Sequence, residues 1–274
     1  MDFTIKIQEE LIRALVNSGY DFITVNESLQ TDKSRFIILR HDVEARYDNA
    51  LEFAKIQHKY GIRGTYYFRI LKNHYNPEVV KEITSLGHEA GYHYDDLTKC
   101  KGDLEKAIKR FESNLNQLND ITPIKTICMD GSPISKYDNK ALWKKYNYKD
   151  YGIESEPYFD VDFTDILYLT DTGRMWDGEK FSVRDRVGSE FTYAKASVNI
   201  KGKSEKGEGV KERRGEKHTY HSTSDIIKAL ELGSFPDKAM FTFHPQRWNN
   251  KPLPWIQEFV MQNVKNQVKR VLVK

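Results

Sequence analysis

The stretch RFIILRHDVE, residues 35–44, sets an unbroken apolar run directly against an imidazole and two carboxylates. A continuous apolar run of that length marks a strand covered on both faces, as in a parallel sheet flanked by helices. His41, Asp42 and Glu44 then stand where the strand should end. Unpaired charge is costly to bury, so a strand interior has no use for them. Two readings follow. Asp42 could cap a helix that starts near Arg46 or Tyr47, or these groups could belong to a metal or acid/base site at the mouth of an α/β domain.

Outward from this stretch the pattern repeats. YDFITV (20–25), RGTYYFRI (63–70), HEAGYHYDD (88–96), IKTICM (124–129), DILYLTD (165–171) and AMFTFH (239–244) are strand-like. EELIRALVNSG (9–19), YDNALEFAKIQHKYG (47–61), NPEVVKEITSLG (76–87), GDLEKAIKRFESNLNQL (102–118), TSDIIKALELG (223–233) and PWIQEFVMQNVKNQVKRVLV (254–273) carry apolar residues at helical spacing. Glycines stop several of these helices, and Pro77 opens one. Such alternation predicts an α/β chain with a mostly parallel sheet. About seven strands favour a distorted (β/α) barrel over an open sheet, formed by a single domain over residues 1–274. In either architecture chemistry collects at the carboxyl ends of the strands. Five strands do run into polar clusters: HDVE after RFIILR, YDD after HEAGYH, DGSP after IKTICM, DTGRMW after DILYLT, and HPQRW after AMFTF.

Composition bounds the rest. Over 274 residues 39% are hydrophobic and 30% charged, and mean hydropathy is −0.69, which describes a wet surface around a sizeable core. No apolar run reaches the roughly 18 residues that span a bilayer. The start, MDFTIKIQEELIRALV, reads as an amphipathic helix and not as a signal peptide, so a cytoplasmic location is expected. A net charge of +3 argues against nucleic acid as a partner. Cys100 and Cys128 stand alone, without a Cys-x-x-Cys pair, and are expected to be free thiols. Residues 199–217 hold seven basic and four acidic residues with no apolar period, which predicts a mobile inserted surface loop.

His, Asp and Glu supply the nitrogen and oxygen ligands that suit zinc, manganese, iron or cobalt. Asp42 and Glu44, two apart on an extended chain, point to one face, and His41 to the other unless the strand is already turning. His93 lies nearer the mouth than His88 and is the better ligand. His244, pinned by Pro245, suits a proton donor, and Asp171 could orient it or simply begin a turn. Trp176 and Trp248 could wall a carbohydrate site or be ordinary core.

Taken in order, ILRHDVE, ALEFAKIQHKYGIRGTYYF, GHEAGYH and FTFHP resemble the polysaccharide deacetylase (NodB-homology, carbohydrate esterase family 4-like) family, in particular a bacterial branch with an Arg-His-Asp-Val-Asp opening motif. The resemblance covers residues from about Tyr20 to about Trp248. It implies a barrel of about seven βα units and a divalent metal, zinc first among the candidates, held by an Asp and two His. It also implies hydrolysis of an acetyl group from an amino sugar or related carbohydrate; the expected cytoplasmic location, and not the resemblance, suggests surface-polysaccharide biosynthesis as the setting. The adjacent pair that opens the family's first motif is here His41-Asp42, which places both among the catalytic candidates with His244 and Asp171. Either Asp42 is the ligand, favoured by its shorter arm, or Asp42 is the base and Glu44 the ligand. The family's second motif carries a further histidine where this chain has Leu97; Glu44, Asp95, Asp96 or Asp130 could replace it. DGSP stands near the third motif, without the family's usual Arg, and TDTGRMW resembles the fourth. These put Pro133, Arg174, Trp176 and Trp248 on the substrate side. A metal-free amide hydrolase on the same barrel, and a degenerate barrel that binds a glycan or a partner without turnover, remain as alternatives.

Overall fold

The computed structural model describes residues 1–71, 74–131, 135–177 and 220–272. The chain runs α1 (Ile5–Asn17), β1 (Asp21–Ile23), α2 (Val25–Ser28), β2 (Phe36–Val43), α3 (Tyr47–Lys59), β3 (Thr65–Phe68), α4 (Pro77–Ser85), β4 (Glu89–Tyr94), α5 (Asp96–Lys99), α6 (Leu104–Asn119), β5 (Thr126–Met129), α7 (Pro157–Asp160), β6 (Leu167–Thr170), α8 (Thr223–Glu231), β7 (Lys238–Phe243) and α9 (Pro252–Leu272). Among the described residues seven strands form one sheet in the order β5-β4-β3-β2-β7-β6, with β1 beside the first residues of β2, and every pairing is parallel. Among the described residues no pairing joins β5 to β6, so these strands form a curled half-barrel of (β/α) units. The expected strand number and direction are met, and closure is incomplete. The inserted segment 199–217 expected from sequence lies outside the described residues.

The strand β2 occupies the centre. All eight of its residues are buried, and it pairs with β7 on one side and with β1 and β3 on the other. It runs on through Val43, so Arg40, His41 and Asp42 belong to the strand itself. The helix-cap reading of Asp42 fails. α3 begins after Arg46, which has φ 50° and makes no side-chain cap bond, and Asp42 bonds elsewhere. The main apolar cluster lies between the sheet and the outer helices, where Leu11, Ile37, Leu39, Phe53, Phe68, Phe111 and Phe241 pack. A smaller one, with Ile38, Tyr67, Cys128 and Met240, fills the concave side. Because side chains alternate along a strand, successive β2 residues divide between these two clusters. Both cysteines are free, as expected. Among the described residues no helix is long and apolar enough to cross a membrane.

Candidate active site

Strand alternation puts Arg40 and Asp42 on the concave face and His41 on the outer one. Arg40 is almost wholly buried and grips Asp42 with two bonds, Nε to Oδ1 at 2.9 Å and Nη2 to Oδ2 at 2.7 Å. Burial alone would raise the Asp42 pKa. The charges of Arg40, His93 and His244 outweigh it and hold the carboxyl well below the usual range. Its Oδ2 lies 3.9 Å from His93 Nε2 and 3.9 Å from His244 Nε2, so three strand ends meet around one fixed anion.

On one side stands a histidine–aspartate pair. His244, just past β7, donates from its ring Nδ1 to Asp171 Oδ1 at 2.6 Å and from its backbone N to Asp171 Oδ2 at 2.9 Å. Asp171, just past β6, also accepts from Arg247 Nη1 at 2.8 Å and Trp248 Nε1 at 2.7 Å. For Asp171 burial acts upward, and His244 with Arg247 bring the pKa below its ordinary value. For His244 burial and Arg247 act downward, but the attraction and bond of Asp171, with Asp42 behind them, raise the net pKa. Its Nε2 remains turned to the site, 4.0 Å from Glu44 Oε1. An imidazole held this way can pass a proton at neutral pH.

On the other side, His93 at the end of β4 bonds through Nδ1 to the Cys128 carbonyl at 3.0 Å. That bond requires the proton on Nδ1 and leaves Nε2 as a lone-pair donor, the arrangement found behind metal-binding histidines. One ligand atom each from Glu44, His93 and Asp130 lie within 4.8 Å of one another, and so do those of Asp42, His93 and Cys128. The pKa of Asp130 rises to about 6, chiefly through burial and then through the negative charge of Glu44, against the opposing pull of His93 and Arg69. Two carboxylates that repel beside an imidazole lone pair fit a divalent cation, which would relieve the repulsion. Asp42 is paired by Arg40 as Asp130 is paired by Arg69, and with His93 it belongs to the second of the two donor sets.

Several expected residues lie elsewhere. His41 is in the outer core, stacked on Tyr66 at 4.0 Å, with Nδ1 on the Thr65 carbonyl at 3.1 Å and Nε2 accepting from Gln57 Nε2 at 2.8 Å. Burial lowers its pKa to about 3, and it faces none of the grouped side chains. Trp176 and Trp248 are fully buried, 6.2 Å apart, and offer no surface to a sugar; Trp248 acts on the site only by bracing Asp171. Arg174 packs over Trp255 at 4.6 Å, again away from the mouth. Pro133 lies outside the described residues. Asp95 is held by Arg69 and Arg110, and Asp96 by Arg110, Tyr92 and Asn114, while Leu97 is buried on α5. His88 braces the chain between the Gly64 amide and the Ala54 carbonyl.

Sequence reasoning missed the arginines. Besides Arg40, Arg69 joins Asp95 at 2.7 Å to Asp130 at 3.0 Å and so fixes one candidate ligand. It also missed Gln246, which bonds Glu44 Oε2 at 3.2 Å. The signal for Arg40 was present: an Arg and an Asp two apart in a buried strand share a face.

No family model matches this chain, and no curated protein does. Solved structures to which it is similar include BA3943 of Bacillus anthracis, described as a CE4 family pseudoenzyme, at 10% identity and TM-score 0.44, covering 88% of this chain and 63% of that one. Others are the Xyl-CE4 domain of a multidomain xylanase from the hindgut metagenome of Trinervitermes trinervoides (12% identity, TM-score 0.37, 86% and 85% covered) and a mutant of peptidoglycan deacetylase PdaC from Bacillus subtilis (12%, 0.37, 88% and 98%). This chain thus spans less than two thirds of the length of BA3943.

Proposed function

We propose that the chain is a divalent-metal-dependent hydrolase that removes an acetyl or other acyl group from an amino sugar or related carbohydrate. The observation that carries this reading is the meeting, at one mouth, of the His244–Asp171 pair with the donor set Glu44, His93 and Asp130 around the anion Asp42. In this reading Glu44, His93 and Asp130 hold the cation, with zinc, manganese, iron or cobalt as the fitting class. The cation, when bound, lowers the pKa of a coordinated water and polarises the acyl carbonyl.

The chain's own residues handle the proton. Asp42, held ionised by Arg40, is a weak proton acceptor, so the general-base role falls to His244. Asp171 keeps the proton on Nδ1, Nε2 takes one from the attacking water, and the same Nε2 then returns it to the departing amine or alkoxide. This differs from the sequence alternative of Asp42 as base, because the Arg40 fork leaves Asp42 little basicity. Asp42 sets its negative charge 3.9 Å from both His244 Nε2 and His93 Nε2. A substrate from surface-polysaccharide assembly, nucleotide-linked or lipid-linked, fits the acyl-sugar chemistry.

The test is acetate release from a panel of N- and O-acetylated amino sugars, with each candidate metal added to wild type and His244→Gln. Turnover that the variant lacks supports the reading; turnover equal in both would overturn it. One observation favours a second reading, a metal-free or non-catalytic site: apolar Leu97 stands on α5 where the resemblance calls for another histidine ligand.

A further inference from the structure

The helix α9 is built the wrong way round for a helix that only packs on this domain. Beyond Trp255, whose Nε1 donates to the Asp2 carbonyl at 2.7 Å, its inward face is polar: Gln262 and Asn266 are buried, Gln262 Nε2 donates to Asn266 Oδ1 at 2.9 Å, and Asn266 Nδ2 donates to the Gly173 carbonyl at 3.1 Å. Its outward face is apolar. Leu253, Ile256, Val260, Val264 and Val268 recur at three- and four-residue steps along one side and are between 48% and 67% exposed. Surface helices ordinarily bury the apolar stripe and expose the polar one. A contiguous exposed stripe of this kind marks an interaction face.

We infer that α9 docks this domain on the surface of an anionic lipid bilayer. Within α9 the sequence holds Lys265, Lys269 and Arg270 against the single acid Glu258, with Lys251 just before it. A basic helix with an apolar stripe is the composition of a segment that lies in the interface of an anionic membrane. The same charge disfavours a second copy as the occupant, since pairing two such helices brings like charge together. Among the described residues no helix is long and apolar enough to cross a bilayer, and the proposed contact is along the bilayer surface. The placement also bears on the mouth. α9 grips the turn after β6 through Gly173 and through Arg174, which sits over Trp255, and that turn carries Asp171. Docking by α9 therefore couples the bilayer contact to the turn that carries Asp171, whatever reaction the site performs.

The experiment is co-sedimentation of the full chain with vesicles of phosphatidylcholine alone, and with vesicles in which about a third of the lipid is phosphatidylglycerol. The expected result is binding to the anionic vesicles, little to the neutral ones, and release as salt rises. Val260→Glu with Val264→Glu, both exposed, should weaken binding at least about tenfold with unchanged circular dichroism. Lys251→Glu with Lys265→Glu should weaken it while leaving the stripe intact. Equal binding to both vesicle types, or no binding to either, would overturn the proposal. A concentration-dependent dimer that the paired Val variant abolishes, with vesicles left unbound, would assign the face to a second copy and overturn it as well. None of these readings uses activity or metal, so failure here is separable from failure of the hydrolase.

Discussion

His41, within β2, and His244, just past the neighbouring β7, are treated oppositely by the protein. In the β2–β7 register His41 lies beside Phe243, one residue from His244. His41 faces the outer core, gives its Nδ1 proton to a backbone carbonyl and has its pKa pulled down to about 3 by burial. His244 faces the mouth, gives its Nδ1 proton to a carboxylate, and its pKa rises although it too is buried. The lesson is that depth does not decide the chemistry of a buried imidazole. A neutral acceptor opposes the cost of burial only weakly, as the Thr65 carbonyl does for His41, whereas the ionised Asp171 more than reverses it for His244.

The largest way to break this comparison is at His244. His244→Gln should lower acyl hydrolysis by about 10²–10⁴-fold, the range for loss of a general acid–base group, while metal binding persists; steady-state kinetics and metal titration check both parts. His41→Asn should leave turnover per folded molecule within a few-fold. Next in size is Arg40→Met, which strands the buried Asp42 carboxylate and should cost roughly 3–5 kcal/mol of stability, read by urea unfolding. His41→Phe fits the stacked site between Tyr66 and Phe243 but removes the acceptor for Gln57 Nε2, and should cost about 1–3 kcal/mol.

The smallest and most specific effect is the pH dependence. His41 is neutral when folded down to a pKa of about 3, whereas an unfolded histidine titrates near 6.5. Its contribution is therefore fully present above pH 6.5 and is lost as pH falls from there towards 3, because the unfolded chain takes up the proton first. His88, lowered to about 4 mainly by burial, acts in the same direction. His244 has the opposite sign: its stabilisation is present below the unfolded pKa and is lost as pH rises through its higher folded value. Urea midpoints measured between pH 7 and pH 4.5 should fall less steeply for His41→Phe than for wild type. An unchanged slope would show that His41 is already charged in the folded state.

Much of this was legible in the chain. The apolar run before His41, the Gly and Pro stops and the polar tails of five strands located the sheet, its direction and the end that carries the groups. His93, Asp130, Glu44, Asp171 and His244 were reachable because each follows a strand core directly. What was not legible depends on partners distant in sequence. Nothing near Trp248 reveals that its indole is fully buried and spent on Asp171, and nothing near His41 reveals Gln57 sixteen residues on. The side of β2 was the hinge of the reading: once the strand continues through Val43, alternation alone moves His41 out of the site and Arg40 into it.

The central claim, a cation held by Glu44, His93 and Asp130, is tested most directly by calorimetric titration of chelator-treated protein with zinc and manganese, for wild type, His93→Ala, Asp130→Asn and His41→Asn. The expected result is about one ion per chain in wild type and in His41→Asn, with binding weakened at least about tenfold in the other two. A wild type that takes up neither metal, or a His93→Ala variant that binds as tightly as wild type, would contradict it.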